Sequence, residues 1–233
     1  MADYVPKMPA ERIEQLRRWH HEASAELHRL GAHDVDYLGL RLHVPEQVFP
    51  PTPTSDLLGR QVKSRVRPGH RVLDMGSGAG ANAILAAQLT DDVVAVDLNP
   101  IAVAATAANA ERNGVAARIS CVQSDVFDAV EGAFDVVVFD PPFRWFAAQD
   151  LLELAFADEN YRTLGRFMAE VGHRLRPGGE VLLFFGSSGD VAHLDELVER
   201  AGLRSETIAE RTVRVRGADA TYFVRRLSQQ HAA

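Results

Sequence analysis

The spacing of apolar residues predicts a long helix near the N-terminus. Across Pro9–Leu30 an apolar side chain recurs every three or four positions, which is one face of an amphipathic helix that ends before Gly31. Residues Tyr37–Val44 then alternate well enough to form a strand. The proline-rich Val48–Thr54 predicts a rigid, extended segment that lies against the rest of the chain. A second helix is predicted for Ser55–Val66, with the Ser55 side chain as its N-cap.

Beyond residue 70, short apolar strands alternate with helices. Strands are predicted at Arg71–Met75, Val93–Asp97, Ile119–Val122, Val136–Phe139, Val181–Phe185, Thr207–Val213 and Thr221–Arg226. Helices are predicted at Ala81–Leu89, Ile101–Asn113, Asp150–Leu175 and Val191–Ala201. This alternation predicts an α/β fold with a doubly wound, mostly parallel sheet. The last two strands, joined by a turn at Gly217, are expected to form an antiparallel hairpin at one edge.

Composition narrows the class of protein. Of the 233 residues, 46% are apolar and 24% are charged, which is typical of a globular protein. No apolar run reaches the roughly 20 residues of a membrane span, and the N-terminus lacks the apolar core of a signal peptide, so we expect a cytoplasmic protein without a membrane partner. The single Cys121 predicts neither a disulfide nor a zinc site, and no metal is expected. A net charge of -7 makes a nucleic-acid partner less favoured.

A glycine-rich turn follows the strand at residues 71–75. Gly76, Ser77, Gly78 and Gly80 let the chain turn tightly and let a ligand approach the backbone at a helix N-terminus. The same glycines also fit a dinucleotide-binding pattern. Asp74, just before the turn, favours the ammonium and sulfonium groups of S-adenosylmethionine and would repel a pyrophosphate. The alternative for Asp74 is to hold the turn by accepting backbone N–H bonds.

Acidic residues also follow the next two strands. Asp97, with Leu98 beside it, is placed to accept hydrogen bonds from ribose hydroxyls. Asp125 is placed to accept one from an adenine amine, with Val126 and Phe127 flanking the ring. Three acids at successive strand ends favour a nucleoside-binding site at that rim of the sheet.

Over residues 70–186 these features resemble motifs I to III of class I S-adenosylmethionine-dependent methyltransferases. The resemblance implies a Rossmann-like, seven-stranded doubly wound sheet and S-adenosyl-L-methionine as cofactor. It implies that residues 57–233 are the catalytic domain, with residues 1–56 as a helix, strand and proline-rich segment that cover the active site. The predicted cofactor-binding residues are Asp74, Gly76, Ser77, Gly78, Gly80, Asp97, Leu98, Asp125, Val126 and Asp140.

The end of the fourth strand carries the predicted chemistry. Pro141 and Pro142 stiffen the chain after a buried strand, so that carbonyls near Asp140 face a ligand, while Phe143 offers a flat face to a planar substrate. The bland alternative is a proline turn with a core phenylalanine. The element resembles the (Asn/Asp)-Pro-Pro-(Tyr/Phe) motif of enzymes that methylate amide, amine or exocyclic base nitrogens. We therefore predict Asp140, Pro141, Pro142 and Phe143 as the catalytic residues.

The nature of the acceptor stays open between subfamilies. Release-factor and ribosomal-protein glutamine methyltransferases of the HemK type resemble the whole chain, but that group has Asn and Tyr where this chain has Asp140 and Phe143. An ionised aspartate only accepts hydrogen bonds, so Asp140 suits a donor-rich nitrogen better than a carboxamide. Asp-Pro-Pro-Phe also resembles ribosomal RNA guanine methyltransferases. We favour a small-molecule or protein substrate, with a nucleic-acid base as the alternative and no prediction of oligomeric state.

Two residues after the motif are predicted to bind the substrate, together with Phe143. Arg144 is expected to meet a carboxylate or phosphate, and Trp145 to pack over the substrate. A surface arginine and a core tryptophan are the equally weighted alternatives. Two further functions were weighed: a nicotinamide-dependent oxidoreductase, which Asp74 disfavours, and a non-catalytic adenosyl-binding module, which the intact Asp140–Phe143 disfavours.

Overall fold

The computed structural model describes residues 4–230. Its helices are α1 Ala10–Leu30, α2 Asp56–Arg65, α3 Ala81–Ala87, α4 Pro100–Arg112, α5 Leu151–Leu154, α6 Arg162–Val171 and α7 Val191–Arg200. Its strands are β1 His33–Tyr37, β2 Leu40–Val44, β3 Arg71–Met75, β4 Asp92–Asp97, β5 Ile119–Gln123, β6 Phe134–Phe139, β7 Leu175–Gly186, β8 Leu203–Val215 and β9 Ala218–Gln229. None of the helices in this range is long and apolar enough to cross a membrane.

Seven strands form one sheet in the order β5-β4-β3-β6-β7-β9-β8. Strands β3 to β7 run parallel, whereas β9 pairs antiparallel with both β7 and β8. This confirms the predicted doubly wound sheet with its antiparallel edge hairpin. The order in which successive strands are added to the sheet reverses between β3 and β6. In open α/β sheets, ligands bind in the crevice at the carboxyl ends of the strands at such a point.

Both faces of the sheet are buried, because the parallel strands are nearly continuous apolar runs. Leu73 and Val137 face one side, where α1, α6 and α7 cover them. Val72 and Val136 face the other side, which α2, α3 and α4 cover. The α1 residues in the first core show that the N-terminal helix packs directly onto the sheet rather than forming a core of its own. The predicted domain boundary, between residues 56 and 57, falls at the beginning of α2.

The strand predicted across residues 37–44 is wrong in one respect, because the chain folds back within it. Leu38 and Gly39 both have positive φ, 49° and 91°, which is the geometry of a two-residue hairpin turn. The result is the antiparallel pair β1–β2 in a sheet of its own. The side chain of Asn109 in α4 continues this sheet: it accepts a hydrogen bond from the His43 N–H at 2.8 Å and donates one to the His43 carbonyl at 2.8 Å.

The helix predicted for Asp150–Leu175 is broken. Asn160 and Tyr161 have positive φ, 58° and 54°, and separate the short α5 from α6. The Asp158 carboxylate caps α6 by accepting from the Thr163 and Leu164 N–H groups, both at 2.9 Å. Its use as a cap accounts for the break, since such a carboxylate satisfies the N–H groups that begin a new helix.

The predicted cap at Ser55 is also wrong, although the helix is present. The Ser55 hydroxyl points backwards, where it accepts from the Thr52 N–H at 3.0 Å, and makes no cap bond to α2. It therefore fixes the end of the proline-rich segment. The expectation that this segment lies against the fold is confirmed: the ring of Phe49 packs 5.7 Å from that of Phe156.

Candidate active site

A cavity of about 510 Å³ lies at the carboxyl ends of β3, β4 and β6. The strand ends form its floor, and the proline-rich segment with Phe49 forms one wall. Ala23 and Leu27 of α1 line it from another side, together with Leu151 and Leu154 of the adjacent α5. This volume lies within the range of ordinary small-molecule sites, about 300–1,000 Å³.

The glycine-rich turn between β3 and α3 has the backbone that glycine permits. Gly76, Gly78 and Gly80 all have positive φ, 68°, 55° and 87°. A Cβ on Gly80 would come within 3.0–3.2 Å of Thr106, so this glycine is required by packing as well as by φ. The Ser77 N–H donates to the Val96 carbonyl at 2.9 Å, which ties the turn to β4. The cavity is lined by Gly76, Ser77 and Gly78 but not by Gly80.

Asp74 is buried beneath this turn, with 2% of its surface exposed. Its carboxylate accepts from the Ala83 N–H of α3 at 2.9 Å, and Asp74 does not line the cavity. This contact is the alternative considered for Asp74, in which the carboxylate holds the turn. Burial, together with the nearby carboxylates Asp97 and Asp140, raises the pKa of Asp74 to about 8 against the lowering effect of the bond from Ala83.

Asp97 at the end of β4 lines the cavity, as do Leu98 and Asn99. The Asp97 carboxylate accepts from the Gly78 and Asn99 N–H groups, both at 2.9 Å, so it is fixed between the glycine turn and α4. Burial raises the pKa of Asp97 above its ordinary value, against the lowering effect of those bonds. Each carboxylate oxygen keeps a second lone pair with which it can accept from a ligand hydroxyl.

At the end of β5 the structure separates three neighbouring residues. Asp125 and Val126 line the cavity, with Val126 held at a positive φ of 53°. The exposed Asp125 carboxylate is paired with Arg166 at 2.6 Å. Phe127 is buried away from the cavity, where its ring stacks on that of Phe167 at 5.6 Å. The expectation that Phe127 flanks the adenine ring is therefore wrong, because the strained Val126 turns the chain into the core.

Asp140 lines the cavity at the end of β6. Burial raises its pKa to about 7. Within residues 4–230 no hydrogen bond or ion pair satisfies its side chain, in contrast to Asp74 and Asp97. Pro141 and Pro142 follow along the same wall. Asp140 is thus an acceptor, partly ionised at neutral pH, whose lone pairs are free for a ligand.

Phe143 is fixed at both its backbone and its ring. Its carbonyl accepts from the Tyr161 hydroxyl at 2.8 Å, and that hydroxyl in turn accepts from the Asp190 N–H at 2.7 Å. Its ring lines the cavity together with Phe184 and Tyr222, whose rings stack at 5.8 Å. These three rings form an aromatic wall, and this name is used for them below.

Arg144 and Trp145 lie in opposite directions from the backbone. Arg144 lines the cavity, and its Nη1 is buried without a hydrogen-bond partner among the described residues. Burial lowers the pKa of this guanidinium. Trp145 is 8% exposed, lies in the core beside Tyr4 and Phe146, and does not line the cavity. The prediction that Trp145 packs over the substrate is corrected, since the indole fills the space beneath α1.

Several lining residues were not found from the sequence. They are Tyr37, Phe49, Asn82, Phe156, Phe184 and Tyr222. Asn82 directly follows the glycine turn, and its position at the start of α3 was a usable signal. The others come from the hairpin, the broken helix and the antiparallel edge, whose approach to the cavity depends on tertiary packing alone.

The expectation that no metal is bound stays a prediction. Residues 4–230 contain no group of three or more His, Cys, Asp or Glu side chains able to hold a metal ion. The arginines of β8 and β9 pair mostly with surface carboxylates. Arg211, for example, binds Asp56 at 2.8 Å.

Known proteins agree with this architecture. A family model described as the methyltransferase small domain matches residues 52–201. The chain is 46% identical over 86 residues to ribosomal protein L11 methyltransferase of Pelotomaculum thermopropionicum, covering 36% of this chain and 28% of that protein. It is 32% identical over 185 residues to release factor glutamine methyltransferase of Cereibacter sphaeroides, covering 72% and 64%. The chain thus spans less than two thirds of either relative.

A solved structure shows the same fold with ligands named in its description. It is the 16S rRNA N2 methyltransferase of T. thermophilus in complex with AdoMet and guanosine, with a TM-score of 0.62 and 25% identity. The match covers 85% of this chain and 50% of that one. Because the family model covers more than half of the chain, the protein belongs to the methyltransferase small domain family.

Proposed function

We propose that the protein is an S-adenosylmethionine-dependent N-methyltransferase that acts on a donor-rich nitrogen. The observation that carries this proposal is the single cavity that brings the glycine turn, Asp97 and Asp140–Phe143 together. We call the part of the cavity at the glycine turn, Asp97 and Asp125 the cofactor half, and the part at Asp140–Phe143 the acceptor half. Direct methyl transfer requires both parts in one site, since alignment of the reacting atoms supplies most of the rate enhancement.

The cofactor half fits S-adenosylmethionine. The positions where a Cβ would stand on Gly76 and Gly78 meet no atom closer than 3.8 Å, so a ligand can approach that backbone. Asn82 Oδ1 is a buried acceptor without a partner within residues 4–230, and it lines the cavity where an ammonium group needs one. Five acidic residues line the same cavity, which suits a cation: Asp97, Asp125, Asp140, Asp158 and Glu159.

Each residue of the cofactor half has a proposed role. Gly76, Ser77, Gly78 and Gly80 shape the turn around the methionine part, and Asp97 with Leu98 holds the ribose. Asp125 and Val126 flank the adenine, while Asp74 acts from beneath the turn. When bound, the cofactor supplies an electrophilic methyl carbon whose bonding electron pair leaves with sulfur.

Asp140 and the residues after it orient the acceptor. The carboxylate accepts an N–H bond, which leaves the nitrogen lone pair free to attack, and Pro141 and Pro142 keep this acceptor rigid. After transfer the nitrogen carries a positive charge and sheds a proton. Asp140, with a pKa of about 7, is suited to take that proton at neutral pH.

The acceptor belongs to a small molecule or a protein side chain in this proposal, and the cytoplasm is its proposed site. Residues 1–56 act as the cover of the active site, which their contribution of Ala23, Leu27 and Phe49 to the cavity wall supports. A protein glutamine, the target named for the Cereibacter sphaeroides relative, fits less well, because Asp140 has no N–H with which to bind its carbonyl.

A nucleic-acid base is the second candidate. It is favoured by the likeness to the T. thermophilus enzyme, whose description names 16S rRNA and guanosine. Against it stands the net charge of -7, since backbone binding needs a basic surface. A steep loss of RNA binding between 50 and 200 mM salt would favour this candidate.

Calorimetry with S-adenosylmethionine and with NAD is the first test. We expect binding of the former only. The second test follows label from methyl-labelled S-adenosylmethionine into substrate pools by mass spectrometry, with Asp140→Ala as the comparison. This variant should lose transfer while its cofactor affinity stays within about tenfold, or roughly 1.4 kcal/mol. Retained turnover would contradict the role of Asp140, and binding of NAD alone would contradict the function.

A further inference from the structure

Two groups of opposite charge line the cavity without being satisfied. Asp140 accepts no hydrogen bond and Arg144 has a buried Nη1 without a partner, among the residues that the structure describes. They do not pair with each other either: among the described residues no salt bridge joins them, and neither side chain affects the pKa of the other. A buried charged group without a partner, such as the Arg144 Nη1, is costly to keep, which favours a ligand as the missing partner. Asp140 is only partly buried, and its carboxylate is open to the cavity.

Among the described residues no carboxylate forms a salt bridge with Arg144, although Asp158 and Glu159 line the same cavity. Tyr222 and Arg216 are the titratable groups close enough to affect the pKa of Arg144. Burial is the main cause that lowers the pKa of the nearby His20 to about 4, and the charge of Arg144 lowers it in the same direction. The buried Nη1 of Arg144, which lines the cavity, therefore lacks a partner that a ligand anion can supply.

The position of Arg144 assigns this anion to the acceptor rather than to the cofactor. The proposed cofactor contacts lie at the ends of β3, β4 and β5, on one side of the crevice. Arg144 follows β6 and lies on the other side, towards β7 and β9, which contribute Phe184 and Tyr222. The aromatic wall lines the same part of the cavity, so a planar ring has flat faces to pack against.

We propose that the acceptor is a small aromatic amine that also carries a carboxylate or phosphate, with its anion on Arg144 and its amine on Asp140. This inference rests on the proposed function and specifies its substrate class. Residues 140 and 144 are four positions apart, and a chain of that length spans at most roughly 14 Å, so one small molecule can reach both. A neutral glutamine side chain would leave Arg144 without a partner.

The test measures binding without turnover. Calorimetry with S-adenosylhomocysteine present compares aminobenzoates, aminophenyl phosphates and the matched neutral aminobenzamides. For the wild type we expect the anions to bind at least tenfold more tightly than the amides, and the tighter of the two anions identifies the natural group. Equal affinity for anions and amides, or no binding of the anions, would overturn the proposal.

Variants locate the anion site. Arg144→Met should weaken the anion probes at least 30-fold and the amides less than threefold, whereas Arg144→Lys keeps the charge without the forked geometry and should be intermediate. The matched control is Arg162→Met, because Arg162 also borders the cavity but its side chain is 67% exposed. It should change anion affinity less than threefold. Circular dichroism and melting temperature verify that each variant folds.

Two outcomes distinguish a failure of this inference from a failure of the proposed function. If Arg144→Met weakens S-adenosylmethionine and spares the anion probes, Arg144 serves the cofactor carboxylate and the inference fails while the function stands. If the anions bind through Arg144 but no acceptor is ever methylated, the anion site stands and the proposed function fails.

Discussion

The two halves of the cavity differ in how their polar groups are satisfied. In the cofactor half, Asp74 and Asp97 accept hydrogen bonds from backbone N–H groups, and Ser77 is tied to Val96 and Thr106. Asn82 Oδ1 is the exception in this half, since it has no partner among the described residues. In the acceptor half, Asp140 and Arg144 have no such partners within residues 4–230. The internal bonds fix a backbone shape that any nucleoside ligand of this kind can use. The unsatisfied charges mark where selectivity for a particular acceptor resides.

Two glycine substitutions separate these halves with the largest expected effects. Gly80→Ala places a Cβ 3.0 Å from Thr106 at a φ of 87°, and should cost about 2–3 kcal/mol of stability and at least tenfold in cofactor affinity. Gly189→Ala places one 2.5 Å from the Phe143 carbonyl, and should cost about 1–3 kcal/mol and most of the turnover, with cofactor affinity unchanged. Denaturant unfolding, calorimetry and initial rates measure the three quantities.

Gly165→Ala is the matched control for both substitutions. Gly165 lies within α6, and no atom lies within 4 Å of the added Cβ. Higher helix propensity should stabilise this variant by up to about 1 kcal/mol without affecting either half of the site. If Gly80→Ala and Gly189→Ala reduced cofactor affinity equally, the division of the cavity would be wrong.

Tyr161→Phe perturbs the acceptor half less than Gly189→Ala, because it removes only one hydroxyl group. The buried Tyr161 hydroxyl joins the Phe143 carbonyl to the Asp190 N–H, so its removal leaves two backbone groups unsatisfied. We expect a loss of about 2 kcal/mol in unfolding free energy and a lower kcat. Cofactor affinity should hold, because this residue touches none of the predicted cofactor contacts. A fall in cofactor affinity with kcat intact would contradict this assignment.

The raised pKa of Asp140 predicts opposite pH trends for binding and stability. A permanently cationic sulfonium favours the ionised carboxylate, so S-adenosylmethionine should bind about tenfold more tightly at pH 8 than at pH 6, or roughly 1.4 kcal/mol. The stability of the ligand-free protein should instead be lower at pH 8 than at pH 6. A carboxyl whose folded pKa lies above its unfolded value stabilises the fold at low pH, and this contribution is lost as the pH rises through about 7.

Asp140→Asn separates this effect from other titrations. The variant should lose most of the pH dependence of binding, measured by calorimetry between pH 6 and 8. Its melting temperature should rise relative to the wild type as the pH increases, because the buried charge is gone. An unchanged binding profile in the variant would assign the dependence to another group, such as Asp74, whose pKa is also raised by burial.

The same division explains how much the sequence predicted. The cofactor half is continuous in sequence, and strands β3 to β5 with Asp97 and Asp125 at their ends follow from periodicity and topology. The same holds for β6 and Asp140 in the acceptor half. The acceptor half draws on α1, the β1–β2 hairpin and β9, whose positions depend on long-range packing. Trp145 and Phe127 follow site residues directly in the sequence, which predicts contact with ligands, but neighbours in sequence need not be neighbours in space. The direction of each side chain is set by the backbone that follows, such as the positive φ of Val126.

The smallest effect is expected at the tip of the β8–β9 hairpin, where Arg216 binds two residues of α1. Its guanidinium contacts the carboxylates of Glu22 at 2.8 Å and Glu26 at 2.7 Å, on either side of Ala23, which lines the cavity. Both glutamates are more than half exposed, so Arg216→Ala should cost less than about 1 kcal/mol of stability. The acceptor KM should rise two- to threefold, and 1 M salt should produce a similar rise in the wild type, since it screens the same pairs. A change in cofactor affinity instead would show that α1 covers the other half of the cavity. Buried Leu16 and Trp19 anchor α1 to the core. The ion pairs of Arg216 therefore influence the position of α1 over the cavity but are not needed to keep the helix packed.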